Sequence, residues 1–113
     1  MFIRNYQDVN LEPVEEEGAR GVKVRWVISE KDGAPNFAMR LFEVEGGGFT
    51  PYHTHQWEHE VFIKDGQGIV VSEGKELPFK PGDVIFIPPD EVHQFKNTSD
   101  KKLEFLCLVP HHE

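Results

Sequence analysis

Cysteine, basic residues and long apolar runs are all scarce in this sequence of 113 residues. The single cysteine, Cys107, cannot form a disulfide within the chain, which favours a reducing compartment. The 12 Lys and Arg against 20 Asp and Glu give a net charge of −8, so no basic stripe is available for nucleic acid or an anionic membrane. The longest apolar runs, VIFIPP and FLCLVP, are too short to span a bilayer.

The N-terminal stretch MFIRNYQDVN also lacks the apolar core of a signal peptide. No linker, repeat or low-complexity tract divides the chain, and its length suffices for one hydrophobic core. The acidic run Glu15–Glu17 is interpreted as a solvated loop. We therefore expect one cytoplasmic domain covering residues 1–113, with neither nucleic acid nor a membrane as its partner.

Alternation with a period of two residues dominates the chain. Val22, Val24 and Trp26 alternate with Lys23 and Arg25, and Trp26 is assigned to the core. Similar segments rich in β-branched and aromatic residues recur between turns that contain Gly, Pro and Asp. The predicted strands are 22–29, 37–45, 59–64, 69–73, 77–79, 84–88, 92–97 and 102–110. This pattern predicts an all-β fold, either a sandwich or a barrel.

Histidine is concentrated in the stretch HTHQWEHE, residues 53–60, which holds three of the six histidines. Residues two apart in a strand share a face about 6.5 Å apart, so His53 and His55 can approach one ion. His59 has the same parity after a bend. A fourth histidine, His93, follows a proline-rich turn and is expected on a strand folded back beside them. The residues alone leave open a cluster of ordinary surface or core histidines without a metal.

Two spaced motifs resemble those of the cupin family. The first consists of Gly47, His53, His55, His59 and Gly66. The second consists of Gly82, Pro88, Asp90, His93 and Asn97. The resemblance covers about residues 37–110. It implies a single cupin domain, a double-stranded β-helix or jelly-roll β-barrel, similar to the compact four-histidine manganese cupins of thermophiles.

Two positions depart from the family pattern. Most cupins have a glutamate where this chain has His59, and the adjacent Glu60 has the opposite strand parity and is expected to point outward. Asp90 replaces the usual glycine of the second motif, but Asp tolerates a left-handed backbone better than most residues. The resemblance therefore implies four imidazole ligands: His53, His55, His59 and His93.

Four neutral imidazoles would leave the full charge of a divalent ion on the site. An octahedral ion would then keep two positions for dioxygen, peroxide or a chelating substrate. Imidazole suits Zn, Cu, Fe and Ni, and the resemblance adds Mn, our first expectation at one ion per chain. A closed tetrahedral zinc site with a structural role is the alternative, which we disfavour because a barrel of this size should not need a metal for its stability.

Strand parity indicates which side chains line the site. On the segment 37–45, Arg40 and Phe42 share a face that the resemblance directs towards the metal. A guanidinium buried there needs a carboxylate, either from the protein, the commoner case, or from a substrate. On the last strand, Phe105 and Cys107 are expected to face inward, although Cys107 is equally compatible with plain core packing. The predicted substrate-binding residues are Arg40, Phe42, Phe105 and Cys107.

The other face of segment 37–45 is also apolar, with Phe37, Met39 and Leu41. A small barrel uses only one face for its interior, so the second face needs cover from another sheet or another subunit. The resemblance implies a homodimer, in which we expect the N-terminal segment MFIRNY to add to the partner's sheet.

Two classes of function remain open. The first is a mononuclear metal-dependent oxidoreductase, dioxygenase-like, acting on a small anionic or aromatic organic substrate. The second is a non-catalytic, metal-dependent binder of a small molecule. The cupin resemblance also extends to isomerases. No Glu or Tyr stands out at an inward position as a general base, which disfavours the isomerase.

Overall fold

The computed structural model describes residues 1–111 and consists mainly of β-strands. Within residues 1–111 the helical content is two 3₁₀ turns, Tyr6–Asp8 and Glu30–Asp32. No helix in this range is long and apolar enough to cross a membrane. The strands within residues 1–111 are β1 (Glu12–Pro13), β2 (Arg20–Ile28), β3 (Phe37–Phe49), β4 (His59–Asp65), β5 (Gly68–Ser72), β6 (Lys75–Phe79), β7 (Val84–Ile87), β8 (Gln94–Lys96) and β9 (Leu103–Pro110). The all-β prediction is confirmed.

The strands form one curled antiparallel sheet. Along its main path the order is β6-β5-β8-β3-β9-β4-β7, and β2 pairs with both β1 and β3. The long strand β3 pairs with β2, β8 and β9, so it connects both halves of the sheet around a common interior. This architecture agrees with the predicted jelly-roll barrel.

The core fills the inner face of the sheet. On β4, buried Val61 and Ile63 alternate with exposed neighbours, as the two-residue period requires. Val44 of β3 and Leu103 of β9 are fully buried against the same interior. Burial of each such aliphatic side chain is worth ~1.5–3 kcal/mol, so this inner face stabilises the walls that carry the site.

The strand β3 runs further than its alternation predicts. The sequence suggests an end at Glu45, but the strand continues through three glycines to Phe49. A Cβ at Gly48 would lie 2.5 Å from the carbonyl oxygen of Arg20, so only glycine allows β2 and β3 to approach this closely. The extended strand delivers the chain directly to the histidine stretch.

The turn before His93 keeps its shape despite the missing glycine. Asp90 has a φ of 69°, in the left-handed region, as expected from the tolerance of Asp for this conformation. Its amide donates to the carbonyl of His55 at 2.7 Å. The turn therefore connects the two motifs through the backbone.

The outer face of β3 differs from the prediction. Leu41 is only 2% exposed in the single chain and Met39 is half-buried, so of the three only Phe37 remains exposed. This strand therefore needs less cover from a second subunit than its sequence suggests. Other exposed apolar side chains of the sheet include Phe62 of β4 and, on β7, Val84 and Phe86.

The segment before β1 lies against its own chain without forming a strand. Arg4 makes an ion pair with Asp32 at 2.7 Å, and the guanidinium of Arg25 lies over the ring of Tyr6. Ile3 is 98% exposed. The pairing of this segment with a partner's sheet stays a prediction.

Candidate metal centre

A cavity of about 330 Å³ opens between the strands and contains the predicted site. The four expected histidines line it, together with all four predicted substrate-binding residues: Arg40, Phe42, Phe105 and Cys107. The cavity lining is mostly apolar apart from the histidines, Arg40, Glu16 and Thr50. Such a volume suits a small molecule.

The backbone brings His53 and His93 together. Each donates its amide to the carbonyl of the other, at 3.1 and 2.9 Å, in an isolated antiparallel bridge. His53 therefore lies in a bridge between loops, not in the regular strand that its spacing from His55 suggests. The two motifs are distant in sequence, and this bridge joins them together with the bond from the amide of Asp90 to the carbonyl of His55.

The imidazole rings converge on one region. Ligand atoms of His53, His55 and His93 all lie within 4.8 Å of one another, close enough to share one ion. The ring of His59, the first residue of β4, has its centroid 5.3 Å from that of His55 and 5.1 Å from that of His93. The structure thus forms a compact triad with a fourth imidazole beside it. Glu60 points outward, as expected from its parity.

Hydrogen bonds orient the rings for metal binding. Nδ1 of His93 donates to the carbonyl of Glu91 at 2.9 Å, and Nδ1 of His53 contacts Oε2 of Glu16 at 3.3 Å. These partners hold the proton on Nδ1 and leave the Nε2 lone pair for a cation. Nε2 of His59 is buried and has no hydrogen-bond partner among the described residues. An orphaned buried nitrogen next to three convergent imidazoles fits a metal ligand.

The environment of His59 and of His93 favours the neutral imidazole. Burial, followed by the positive charge of Arg40, lowers the pKa of His59 to about 3. Burial also lowers the pKa of His93. A neutral imidazole has a free lone pair on one ring nitrogen, and this neutral form binds a metal ion. The donor set therefore suits Zn, Cu, Fe, Ni or Mn.

Arg40 reaches the cavity without a carboxylate partner among residues 1–111. Its Nη2 donates to Sγ of Cys107 at 3.1 Å and lies 3.5 Å from Nδ1 of His59. Its guanidinium lies over the rings of Trp26 and Phe42. Its Nε is buried and has no partner among the described residues. Within the described part of the chain, Arg40 therefore lacks the protein carboxylate that was the commoner of its two expected partners.

Aromatic rings form the apolar wall. Phe42 and Phe105 are stacked, with centroids 5.2 Å apart, and Phe95 stacks on Phe105 at 4.9 Å. Trp57 stacks on the ring of His55 at 4.5 Å and also lines the cavity. Trp26 was assigned to the core, but this is wrong: it is 42% exposed and borders the cavity.

Among the lining residues that the sequence prediction missed are Phe95 and Glu16. Phe95 has the same parity as His93 in the following strand, so this period could have identified it. Glu16 belongs to the acidic run and is exposed, as expected for a solvated loop, but its carboxylate reaches His53. No local pattern distinguishes Glu16 from its acidic neighbours, because the contact joins residues 37 positions apart.

Comparisons with known proteins agree with this architecture. An oxalate-binding protein of Thermotoga maritima is 38% identical over 96 residues, covering 81% of this chain and 78% of the relative. An acireductone dioxygenase of Bacillus pumilus is 35% identical over 89 residues, covering 74% of this chain and 48% of that protein. The solved structure of a polyketide cyclase from Streptomyces resistomycificus has a TM-score of 0.92 at 37% identity, covering 97% of this chain and 79% of that one.

The family itself follows from the sequence model that matches most of the barrel. This model describes the cupin domain and matches residues 40–109, which include β4 to β8, most of β3 and β9, and both histidine motifs. The chain therefore belongs to the cupin family.

Proposed function

We propose that this chain is a mononuclear metal-dependent oxidoreductase of the dioxygenase type, acting on a small organic anion. The observation that carries the proposal is Arg40: a guanidinium in a mostly apolar cavity, beside the imidazoles, with no carboxylate partner among residues 1–111. Such a charge is costly to bury unless an anion pairs with it. A substrate carboxylate or enolate supplies that anion.

His53, His55, His59 and His93 would hold the ion. A divalent ion bound there acts as a Lewis acid and offers positions to oxygen donors. The relatives do not fix the metal, and manganese is our first expectation, ahead of Fe, Ni, Cu and Zn.

Arg40 would bind and orient the anion. Its Nε and remaining N–H groups can donate to one carboxylate in a forked arrangement. Trp26 and Phe42 pack on the guanidinium and limit its rotation. The substrate is therefore expected to bridge from Arg40 towards the imidazole cluster.

The stacked phenylalanines would hold the hydrocarbon part of the substrate. Phe42, Phe95 and Phe105 form one continuous aromatic surface along the cavity. This surface excludes water from the reacting region and strengthens the charge–charge attraction between Arg40 and the anion. A planar or aromatic acid fits these contacts best.

The second candidate is a non-catalytic binder of a small organic acid. It is favoured by the relative from Thermotoga maritima, 38% identical, whose name is oxalate-binding protein. The same ligands and the same arginine would serve both functions. The distinction lies in turnover alone.

Oxygen uptake separates the two candidates. Protein loaded separately with Mn²⁺, Fe²⁺ and Zn²⁺ is mixed with a panel that includes oxalate, 2-oxo acids and aromatic carboxylates, while an oxygen electrode and calorimetry follow turnover and binding. Substrate-dependent oxygen consumption by the Mn or Fe form supports the oxidoreductase. Binding without turnover across the panel supports the binder, and binding that Arg40→Gln leaves unchanged would contradict both.

The metal assignment has its own test. Replacing His53 and His93 together by Ala should abolish retention of metal after dialysis, because two converging ligands are removed. His111→Ala is the control, since this histidine bonds to the carbonyl of Ala34 outside the cluster. Elemental analysis measures the ion per chain. Full occupancy in the double variant would overturn the ligand set.

A further inference from the structure

The environment of Nδ1 distinguishes His59 from two of its fellow ligands. In His53 and His93, Nδ1 faces an oxygen that can only accept a proton. In His59, Nδ1 faces two different groups, Sγ of Cys107 at 3.4 Å and Nη2 of Arg40 at 3.5 Å. A guanidinium can only donate, whereas a thiol sulfur can accept. The two neighbours therefore favour opposite tautomers of the ring.

We propose that Cys107 is a positioning residue for the metal centre, whose sulfur accepts the Nδ1 proton of His59 and so leaves Nε2 free for the ion. If Arg40 donated to Nδ1 instead, the single ring proton would move to Nε2 and block the metal. This inference rests on the proposed metal site. It goes beyond it by assigning the cysteine a defined role.

The contacts of the sulfur support this assignment. Nη2 of Arg40 lies closer to Sγ, at 3.1 Å, than to Nδ1, at 3.5 Å. One of its two N–H groups therefore has the sulfur as acceptor, while the contact to Nδ1 is at the outer limit of a hydrogen bond. The carbonyl of Leu108 lies 3.9 Å from Sγ and can receive the thiol's own proton. In this arrangement the sulfur accepts two N–H groups and donates its S–H, and every hydrogen bond points in a compatible direction.

Burial makes the choice of tautomer matter. Cys107 is 4% exposed and His59 is 6% exposed, so water has little access to replace a lost partner. An imidazole that binds a metal ion is neutral and has only one proton to place. The sulfur and the arginine between them decide which nitrogen carries it.

The tautomer of His59 can be measured without any metal. Ring ¹⁵N chemical shifts in the metal-free protein at pH 7 should show His59 protonated at Nδ1. Cys107→Val fills the space with a somewhat larger apolar side chain and removes the acceptor, so the Nε2–H form should become the major one. Cys107→Ser, which restores an acceptor, should return the population to Nδ1–H. A wild-type ring protonated at Nε2, or an unchanged ring in Cys107→Val, would overturn the proposal.

Zinc binding supplies the second readout. Competition with a chelator, using Zn²⁺ alone, should show that Cys107→Val binds about 10–100-fold more weakly than wild type, the usual effect of removing such a partner. Cys107→Ser should lie within about threefold of wild type. Val109→Ala, equally buried two residues along β9, is the control: it should lose stability but keep its zinc affinity.

The two measurements separate the possible failures. Failure of the wild-type protein to bind zinc, Mn²⁺ or Fe²⁺ would refute the metal site, while the ¹⁵N shifts would still decide the hydrogen bond. Equal zinc affinity in the Val and Ser variants would show that Cys107 only packs in the core. If Cys107→Val does not fold, Cys107→Ala offers the same loss of acceptor with less bulk and is judged by the same two results.

Discussion

A fourth imidazole in place of the usual cupin glutamate changes the charge of the site. His59 occupies the buried first position of β4, and its Nε2 has no hydrogen-bond partner among residues 1–111. With a neutral ligand there, a bound ion and Arg40 would together present positive charge to the cavity. An anionic substrate is attracted by both, whereas a glutamate would neutralise part of the attraction.

Substitution of His59 by Glu tests this charge argument. The variant should still bind metal, because a carboxylate oxygen is an acceptable donor to Mn, Fe or Zn. The affinity of the iron- or copper-loaded protein for azide should fall by about tenfold or more, since the net charge of a partly desolvated site drops by one unit. A spectroscopic azide titration measures it. Equal azide affinity in parent and variant would mean that the fourth histidine has no electrostatic role.

The low pKa of His59 predicts how stability depends on pH in the metal-free protein. Its folded pKa is about 3, against about 6.5 when unfolded, so the unfolded chain takes up the proton first. The full stability is present above pH 6.5 and is lost as the pH falls towards 3, by at most about 1.4 kcal/mol per unit for this residue.

Urea unfolding at pH 7 and pH 5, after chelation, measures this effect. The difference in the free energy of unfolding between the two pH values should shrink in His59→Gln, which cannot be protonated. His111→Gln, which alters a histidine remote from the cluster, should show the wild-type difference. A wild-type difference in His59→Gln would assign the acid sensitivity to other groups.

At the level of elements, the site is assembled from β3, β4 and β9, from the loops that carry His53, His55 and His93, and from an N-terminal strap, which consists of residues 12–18. The amide of Val14 donates to the carbonyl of Val22 at 2.9 Å, which holds the strap on β2. Val14 and Glu16 then border the cavity. The strap thereby carries a carboxylate from an exposed loop to the metal-binding cluster.

Glu16→Gln should weaken metal binding by up to about tenfold, because the carboxylate orients His53 and increases the basicity of its ring. The effect is smaller than for a buried partner, since Glu16 is exposed and water competes for the proton. Glu15→Gln, a change of the same charge in the same exposed loop, is the matched control. Equal metal affinities in the two variants would show that the Glu16 contact does not support the site.

How far the sequence predicts these elements depends on whether the signal is local. Parity along β3 and β9 groups Arg40 with Phe42 and Phe105 with Cys107, because alternation is a property of a single strand. The cupin resemblance indicates that the Arg40 face points inward, and all four residues line the cavity. The contact of Glu16 depends on how distant segments pack, so the sequence does not reveal it. The burial of Leu41 within one chain is missed for the same reason.

For the whole molecule, the exposed apolar surface indicates where a second copy would bind. We call the groove between β4, β7 and β9, together with Met39 of β3, the outer sheet face. Its residues include Met39, Phe62, Val84, Phe86, Leu106 and Leu108. Phe86 is 60% exposed and Val84 is 77% exposed in the single chain, so both leave apolar area in water. We therefore expect the predicted homodimer to form through this face, to which β3 contributes Met39.

Light scattering should give a mass twice that of the 13.0 kDa chain. Replacing Phe86 by Lys should produce a folded monomer, because a charge placed in the centre of a buried apolar interface is costly to desolvate. Tyr52→Lys, a similar change at an exposed aromatic residue outside the outer sheet face, should leave the dimer intact. A wild-type monomer at micromolar concentration would exclude the dimer. A Phe86→Lys variant that still dimerises would place the contact elsewhere, with the exposed N-terminal residues around Ile3 as the next surface to change.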